Sequence, residues 1–178
     1  MKRILVSVLM LLCLAIGASA QRAKAVCGPY VQCMSETGFT VVWTTDQDAV
    51  AWVEVAPDDG THFYNKERDK YYDMRGNGVH PIGKIHKVEV DGLEPGTTYR
   101  FRIMYKGVLS YKGQGDVQYS HPNGTDVYRG QPHKITTFKK DYDEVKFDIF
   151  NDIHGKDSLF NTILAGAREN RDFVFLNG

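Results

Sequence analysis

Between Phe39 and Tyr105 the sequence alternates with a period of two, and this pattern restricts the possible folds more than any other feature of the chain. Phe39, Val41 and Trp43 alternate with Thr40, Val42 and Thr44. Ala51, Val53 and Val55 form a second set, and His86, Val88 and Val90 a third, closed by Gly92. Tyr99, Phe101, Ile103 and Tyr105 then alternate with Arg100, Arg102 and Met104, and Ile135–Phe138 reads as a last short strand. Side chains on a strand point alternately to its two faces, so each set predicts a strand with one face in a core. Gly, Pro and Asp turns separate the sets, and no stretch from Ala25 to Lys139 carries helical periodicity. Short strands spaced in this way predict an antiparallel β-sandwich.

One turn is more specific. Leu93-Glu94-Pro95-Gly96-Thr97-Thr98-Tyr99, followed by Arg100-Phe101-Arg102-Ile103, resembles the tyrosine corner of fibronectin type III-like and immunoglobulin-like sandwiches. A Pro-Gly reversal passes the chain from one sheet to the other, and the tyrosine hydroxyl returns a hydrogen bond to upstream backbone. Trp43 is then expected as the central core aromatic.

The ends of the chain have a different character. Lys2 and Arg3 precede an apolar run from Ile4 to Ile16, and Ala18-Ser19-Ala20 supplies small residues ahead of Gln21. The run is shorter than the roughly 20 residues that span a bilayer, so residues 1–20 read as a signal peptide cleaved after Ala20. The mature chain is expected to be secreted or periplasmic, with no membrane span. Removing Lys2 and Arg3 from the 22 basic residues leaves 20 against 22 acidic ones, a net charge of −2. With no Lys/Arg run, the chain is not expected to bind nucleic acid, which needs a concentrated basic face. Cys27 and Cys33 would meet an oxidising compartment. Their six-residue spacing in extended chain covers up to about 20 Å, so a disulfide requires a sharp turn at Gly28-Pro29. Without that turn they are unpaired or separately buried thiols.

Lys106–His133 reads as a long connection, either a functional loop or a solvated hairpin extension. His121 and His133 are candidates to face a substrate, and Asn123-Gly124-Thr125 matches a glycosylation acceptor. Lys139-Lys140-Asp141-Tyr142-Asp143-Glu144 then reads as a linker. Beyond it, Val145–Phe150 predicts a strand and Asn151–Lys156 a polar turn. A helix follows, capped by Asp157 or Ser158, with Leu159, Phe160, Ile163, Leu164 and Ala167 on one face. Asp172–Leu176 predicts a second strand. The expected domains are residues 21–140, a complete sandwich, and 144–178, the opening βαβ unit of an α/β domain with parallel strands.

In open α/β sheets functional groups collect at the carboxyl ends of the strands, and Asp152-Ile153-His154-Gly155 falls there. A carboxylate and an imidazole two residues apart on one turn suit zinc, iron or manganese. Alternatively, Asp152 caps the turn. Phe150-Asn151-Asp152-Ile153-His154-Gly155, the helix, and Phe173-Val174-Phe175-Leu176-Asn177-Gly178 resemble the opening of a calcineurin-like metallophosphoesterase domain. Gly28-Pro29-Tyr30-Val31-Gln32, Thr40-Val41-Val42-Trp43 and the tyrosine corner resemble the N-terminal domain of purple acid phosphatase-like proteins.

That resemblance implies hydrolysis of phosphate esters at a dinuclear site of Fe, Zn or Mn, with Asp152 and His154 ligating the first metal. It also implies a bridging aspartate directly after Gly178 and a later Gly-Asn-His-Asp/Glu motif, for which the sequence has no counterpart. The other histidines, His62, His80, His86, His121 and His133, precede the α/β segment. The chain is therefore expected to be the N-terminal portion of a secreted phosphoesterase, to supply no catalytic residue besides the two ligands, and to hydrolyse little by itself. Another reading is an exported binding module, for adhesion or carbohydrate contact, that uses Tyr64, Tyr71, Tyr72 and Tyr111, with a vestigial C-terminal segment.

Overall fold

Two of the strands expected from the alternation are one. A computed structural model, which describes residues 22–75, 78–113, 115–152, 157–166 and 171–177, shows Phe39–Pro57 as a single strand, β2. Its first half pairs antiparallel with β1 (Ala25–Gln32) and β4 (Gly83–Val90), through contacts such as Val42 with Tyr30 and Val41 with Val88. Its second half pairs with β3 (Asp69–Tyr72) on one side and β5 (Thr98–Tyr111) on the other. The register breaks between Thr44 and Ala49. Across this break β2 leaves one layer and enters the other.

The polar segment Thr45–Asp48 separates the first two alternating sets in the sequence, yet it is held in the strand. The Thr45 hydroxyl donates to the Gln47 carbonyl at 2.8 Å, and the Asp46 amide donates to Lys24 O at 3.0 Å. Local side-chain and backbone bonds thus satisfy the groups that the crossing leaves without a ladder partner.

The two inner faces form one core. Phe39, Val41, Trp43, Val88 and Val90 from the first layer cluster with Ala51, Val53, Val55, Phe101, Ile103 and Tyr105 from the second. Phe39 and Phe101 meet across it with ring centroids 5.5 Å apart. Trp43 is fully buried, as expected for the central aromatic, and lies 5.3 Å from the His86 ring. Gly28, at φ +85°, lets β1 pass close over this region, since a Cβ there would stand 2.8 Å from Val42 O.

At the corner, the Glu94 amide donates to the Tyr99 hydroxyl at 3.0 Å. Gly96 takes φ +61° and its amide donates to Phe138 O. The last strand of the sandwich, β8, runs His133–Thr136 rather than through Phe138, and pairs with the start of β5.

The long connection after Lys106 is a hairpin extension. β5 continues to Tyr111 and pairs with β6 (Val117–Tyr119), and β7 (Asn123–Gly124) pairs with Met104 and Tyr105. The fold is mainly β, an antiparallel sandwich as the alternation predicts.

The chain divides into two compact units between Lys139 and Lys140. The second unit has β9 (Phe147–Asn151), α1 (Asp157–Gly166) and β10 (Phe173–Asn177), with β9 and β10 parallel from Phe147–Phe173 to Asn151–Asn177. β9 begins two residues later than expected, at Phe147 rather than Val145, and β10 one later, at Phe173 rather than Asp172. Phe147 and Phe173 stack at 5.2 Å, while Ile149, Phe175 and Leu176 remain exposed. A two-stranded parallel sheet has too few neighbours to cover both of its faces. The expected signal segment 1–20, His154 and Ala167 lie outside the described residues.

Candidate functional site

The carboxyl ends of β9 and β10 are locked together. The Asp152 amide donates to Asn177 O at 2.9 Å, and Asn177 Nδ2 donates to Asn151 Oδ1 at 2.9 Å. Their opposite ends are clamped too: the Asp172 amide donates to Lys146 O at 2.7 Å, and the Lys146 amide donates to Asp172 Oδ2 at 2.8 Å. Arg171 pairs with Asp148 at 2.8 Å. Together these bonds fix the register that sets Asp152 one step past the sheet.

Asp152 has φ 55°, in the left-handed region where Asp and Asn are the non-glycine residues most often found. That conformation ends β9 sharply, and Asp152 is exposed at the strand end. The position therefore offers a hard oxygen donor at the place where parallel sheets collect functional groups. The second expected ligand, His154, falls outside the described residues, so the pairing of the two side chains stands on the sequence.

The other histidines have structural settings. His133 lies on β8 against Phe101 at 5.1 Å, and burial pushes its pKa below the ordinary value. It packs the sandwich edge. His86 is buried, with Nε2 2.9 Å from the Thr45 hydroxyl, and burial lowers its pKa to about 4. His121 is exposed, next to Pro122 and Arg22. Cys27 and Cys33 are both free and both exposed, so neither the disulfide nor separate burial is found.

The sequence gives no hint of a polar cluster on the outer face of the second layer. Glu54 and Arg102 face each other across β2 and β5, with side chains 8% and 12% exposed. Arg102 Nε donates to Glu54 Oε2 at 2.8 Å, Trp52 Nε1 donates to Oε1 at 3.0 Å, and Arg102 Nη1 donates to the Tyr64 hydroxyl at 2.7 Å. The guanidinium lies 4.8 Å from the Tyr64 ring, which stacks on Tyr128 at 3.9 Å. Of the four tyrosines singled out for contact, Tyr64 is thus committed to internal packing, and half-buried Tyr71 packs against the core. Tyr72 and Tyr111 are exposed.

Comparison with known families decides the identity of the sandwich. Residues 28–121 match the model of the purple acid phosphatase N-terminal domain. The chain belongs to this family. The match runs from β1 through β6 and includes the crossing strand and the tyrosine corner. The chain is also similar to the ephrin type-A receptor 3 of Danio rerio, 31% identical over 102 residues. That alignment covers 52% of this chain and 10% of the receptor, so the chain spans about a tenth of that relative's length.

Membership of the purple acid phosphatase family implies a dinuclear metal site in the full-length protein. Among the described residues there is no group of three or more His, Cys, Asp or Glu side chains placed to hold a metal ion. Asp152 alone fits as a donor, and one carboxylate does not make a dinuclear cage. The described residues therefore do not accommodate the metal pair. Nor is any helix among them long and apolar enough to cross a membrane.

Proposed function

We propose that the chain is the N-terminal portion of a secreted, metal-dependent phosphoesterase that hydrolyses phosphate esters. The observation that carries the reading is the order of parts: a purple acid phosphatase N-terminal sandwich, then a parallel β9–α1–β10 unit with Asp152 directly after its first strand. In this reading Asp152 and His154 are two ligands of the metal pair, and the remaining ligands come from chain beyond Gly178. The 178 residues hydrolyse little alone, because two ligands on one turn cannot position both a phosphate and its attacking water.

The reading frame downstream of Gly178 and a phosphatase assay test this together. An in-frame Asp directly after Gly178, a later Gly-Asn-His motif, and aryl phosphate hydrolysis by the longer product that Asp152→Ala abolishes are expected. A stop codon with no remnant behind it would overturn the proposal. So would strong hydrolysis by the 178-residue chain itself that is lost in Asp152→Ala.

A further inference from the structure

The sandwich carries a surface that the phosphoesterase reading leaves unused. Three clefts of about 520, 530 and 520 Å³ open side by side where the β5–β6 hairpin stands over the second layer, and Tyr119 lines all three. Lys106 lines two of them, and so does His80. Tyr72 stacks on His80 at 4.6 Å, Trp52 lies 6.1 Å from Tyr72, and the Lys106 ammonium stands 5.9 Å above the Trp52 ring. Tyr72, Tyr111 and Tyr119 are 37%, 57% and 40% exposed, so three phenol rings meet solvent in clefts that share Tyr119.

The charges in these clefts are unevenly satisfied. Glu54, at the floor of the middle cleft, has one carboxylate oxygen taken by Trp52 and the other by Arg102. Lys70 pairs with Glu67. Lys106 and Arg22, which both line the third cleft, make no ion pair among the described residues. Asp48 sits in the first cleft, where neither of those cations is present.

We propose that these clefts bind an acidic oligosaccharide, with its sugar rings on Tyr119, Tyr72 and Tyr111 and its acid groups on Lys106 and Arg22. The apolar C–H face of a pyranose ring needs a flat apolar partner with a polar rim. Tyrosine supplies both with little side-chain entropy to lose. Three adjoining platforms suit a linear chain of rings better than one compact ligand. The unpaired cations select acidic units, because an ammonium with no carboxylate of its own attracts an incoming anion in full. Nucleic acid would also use rings and cations, but it carries a charge on every residue and requires a matching cationic track. Two unpaired cations in a chain with a formal net charge of zero fit a sparser charge density. This inference is independent of the phosphoesterase reading and survives its failure.

Calorimetric titration of the full chain with tetragalacturonate, neutral cellotetraose and a short oligothymidylate of equal charge tests it. Tetragalacturonate is expected to bind about tenfold more tightly than cellotetraose, and raised salt should weaken it. Lys106→Gln and Tyr119→Ala should each weaken binding about fivefold or more. Tyr128→Ala, exposed and away from the clefts, should leave it unchanged. Thermal unfolding confirms that each variant is folded, and Tyr111→Ala replaces Tyr119→Ala if the latter is not. The proposal is overturned if tetragalacturonate does not bind, if cellotetraose binds equally well, or if the oligonucleotide binds best. Binding unaffected by both cleft substitutions overturns it as well.

Discussion

Tyr99 accepts a hydrogen bond from the backbone amide of Glu94, five residues upstream, at 3.0 Å. The phenol therefore ties the Pro95-Gly96 reversal to the start of β5, and Thr137, directly after β8, closes the same corner. The Thr137 hydroxyl donates to Glu94 O at 2.7 Å and accepts from the Thr97 amide at 3.0 Å. The corner is thus bonded from both sides.

Tyr99→Phe keeps the ring and removes only the hydroxyl. It should lower unfolding stability by about 1 kcal/mol, read as a shift of the urea midpoint at unchanged slope. Thr137→Val removes a buried hydroxyl and leaves the Glu94 carbonyl unpaired, so its loss should be larger, about 2 kcal/mol. Equal stability of wild type and both variants would show that the turn holds without these bonds.

Glu54 and Arg102 give a sharper test, because both are desolvated. Arg102→Met should cost about 3 kcal/mol, since it strands a buried carboxylate whose remaining bond is to Trp52. Removing both charges in Glu54→Leu/Arg102→Met should restore most of that loss. Denaturant unfolding of the two singles and the double yields the coupling. Additive losses would mean that the pair is solvated in solution.

Asn123 matches a glycosylation acceptor, but its amide is in use. Nδ2 donates to Ala23 O at 2.9 Å and Oδ1 accepts from the Gly124 amide at 3.0 Å. The side chain thereby ties the chain ahead of β1 to β7. When the chain passes through a glycosylating secretory host, the folded product is expected to keep an unmodified Asn123. Intact mass before and after glycosidase digestion checks this, and a glycan on Asn123 would show that the tie is dispensable.

The sandwich was legible because a half-buried strand writes its alternation directly into the sequence, as Phe39, Val41 and Trp43 do. The tyrosine corner was legible because Pro95-Gly96 and Tyr99 have few other reasons to stand at that spacing. The crossing of β2 was not. Thr45–Asp48 is a polar run, and it is the bonds of Asp46 with Lys24 and of Thr45 with Gln47 that hold it in the strand. Nor was the burial of Arg100 and Glu54 legible, since charged residues on a strand suggest a solvent face, yet Arg100 donates to Pro57 O and Asp59 and Glu54 accepts from Arg102. Asp152 was found by its position at a strand end, whereas its proposed role beside His154 rests on the Asp-x-His spacing and on the resemblance of residues 150–155 to a metallophosphoesterase opening.

The buried His86 predicts how stability responds to acid. Burial pushes its pKa down to about 4, while Asp73 pulls it up and Arg75 pushes it further down. Thr45 is its hydrogen-bond partner and Trp43 its ring neighbour. The unfolded chain takes up the proton near 6.5 and the folded one only near 4, so between these values the unfolded state binds more protons. Stability should accordingly be highest above pH 6.5 and fall as the pH drops toward 4, by about 3 kcal/mol in total from this residue. His133, also lowered by burial, adds in the same direction. Asp73 behaves differently: burial raises its pKa, but its bonds with Arg75 and the Lys87 amide hold it below the usual value, so it weakens the fold only at still lower pH. His86→Gln, which can keep a bond to Thr45 without titrating, should flatten the slope of unfolding free energy against pH between 4.5 and 6, leaving only the smaller part due to His133. An unchanged slope in that variant would mean that His86 is protonated in the native state without cost.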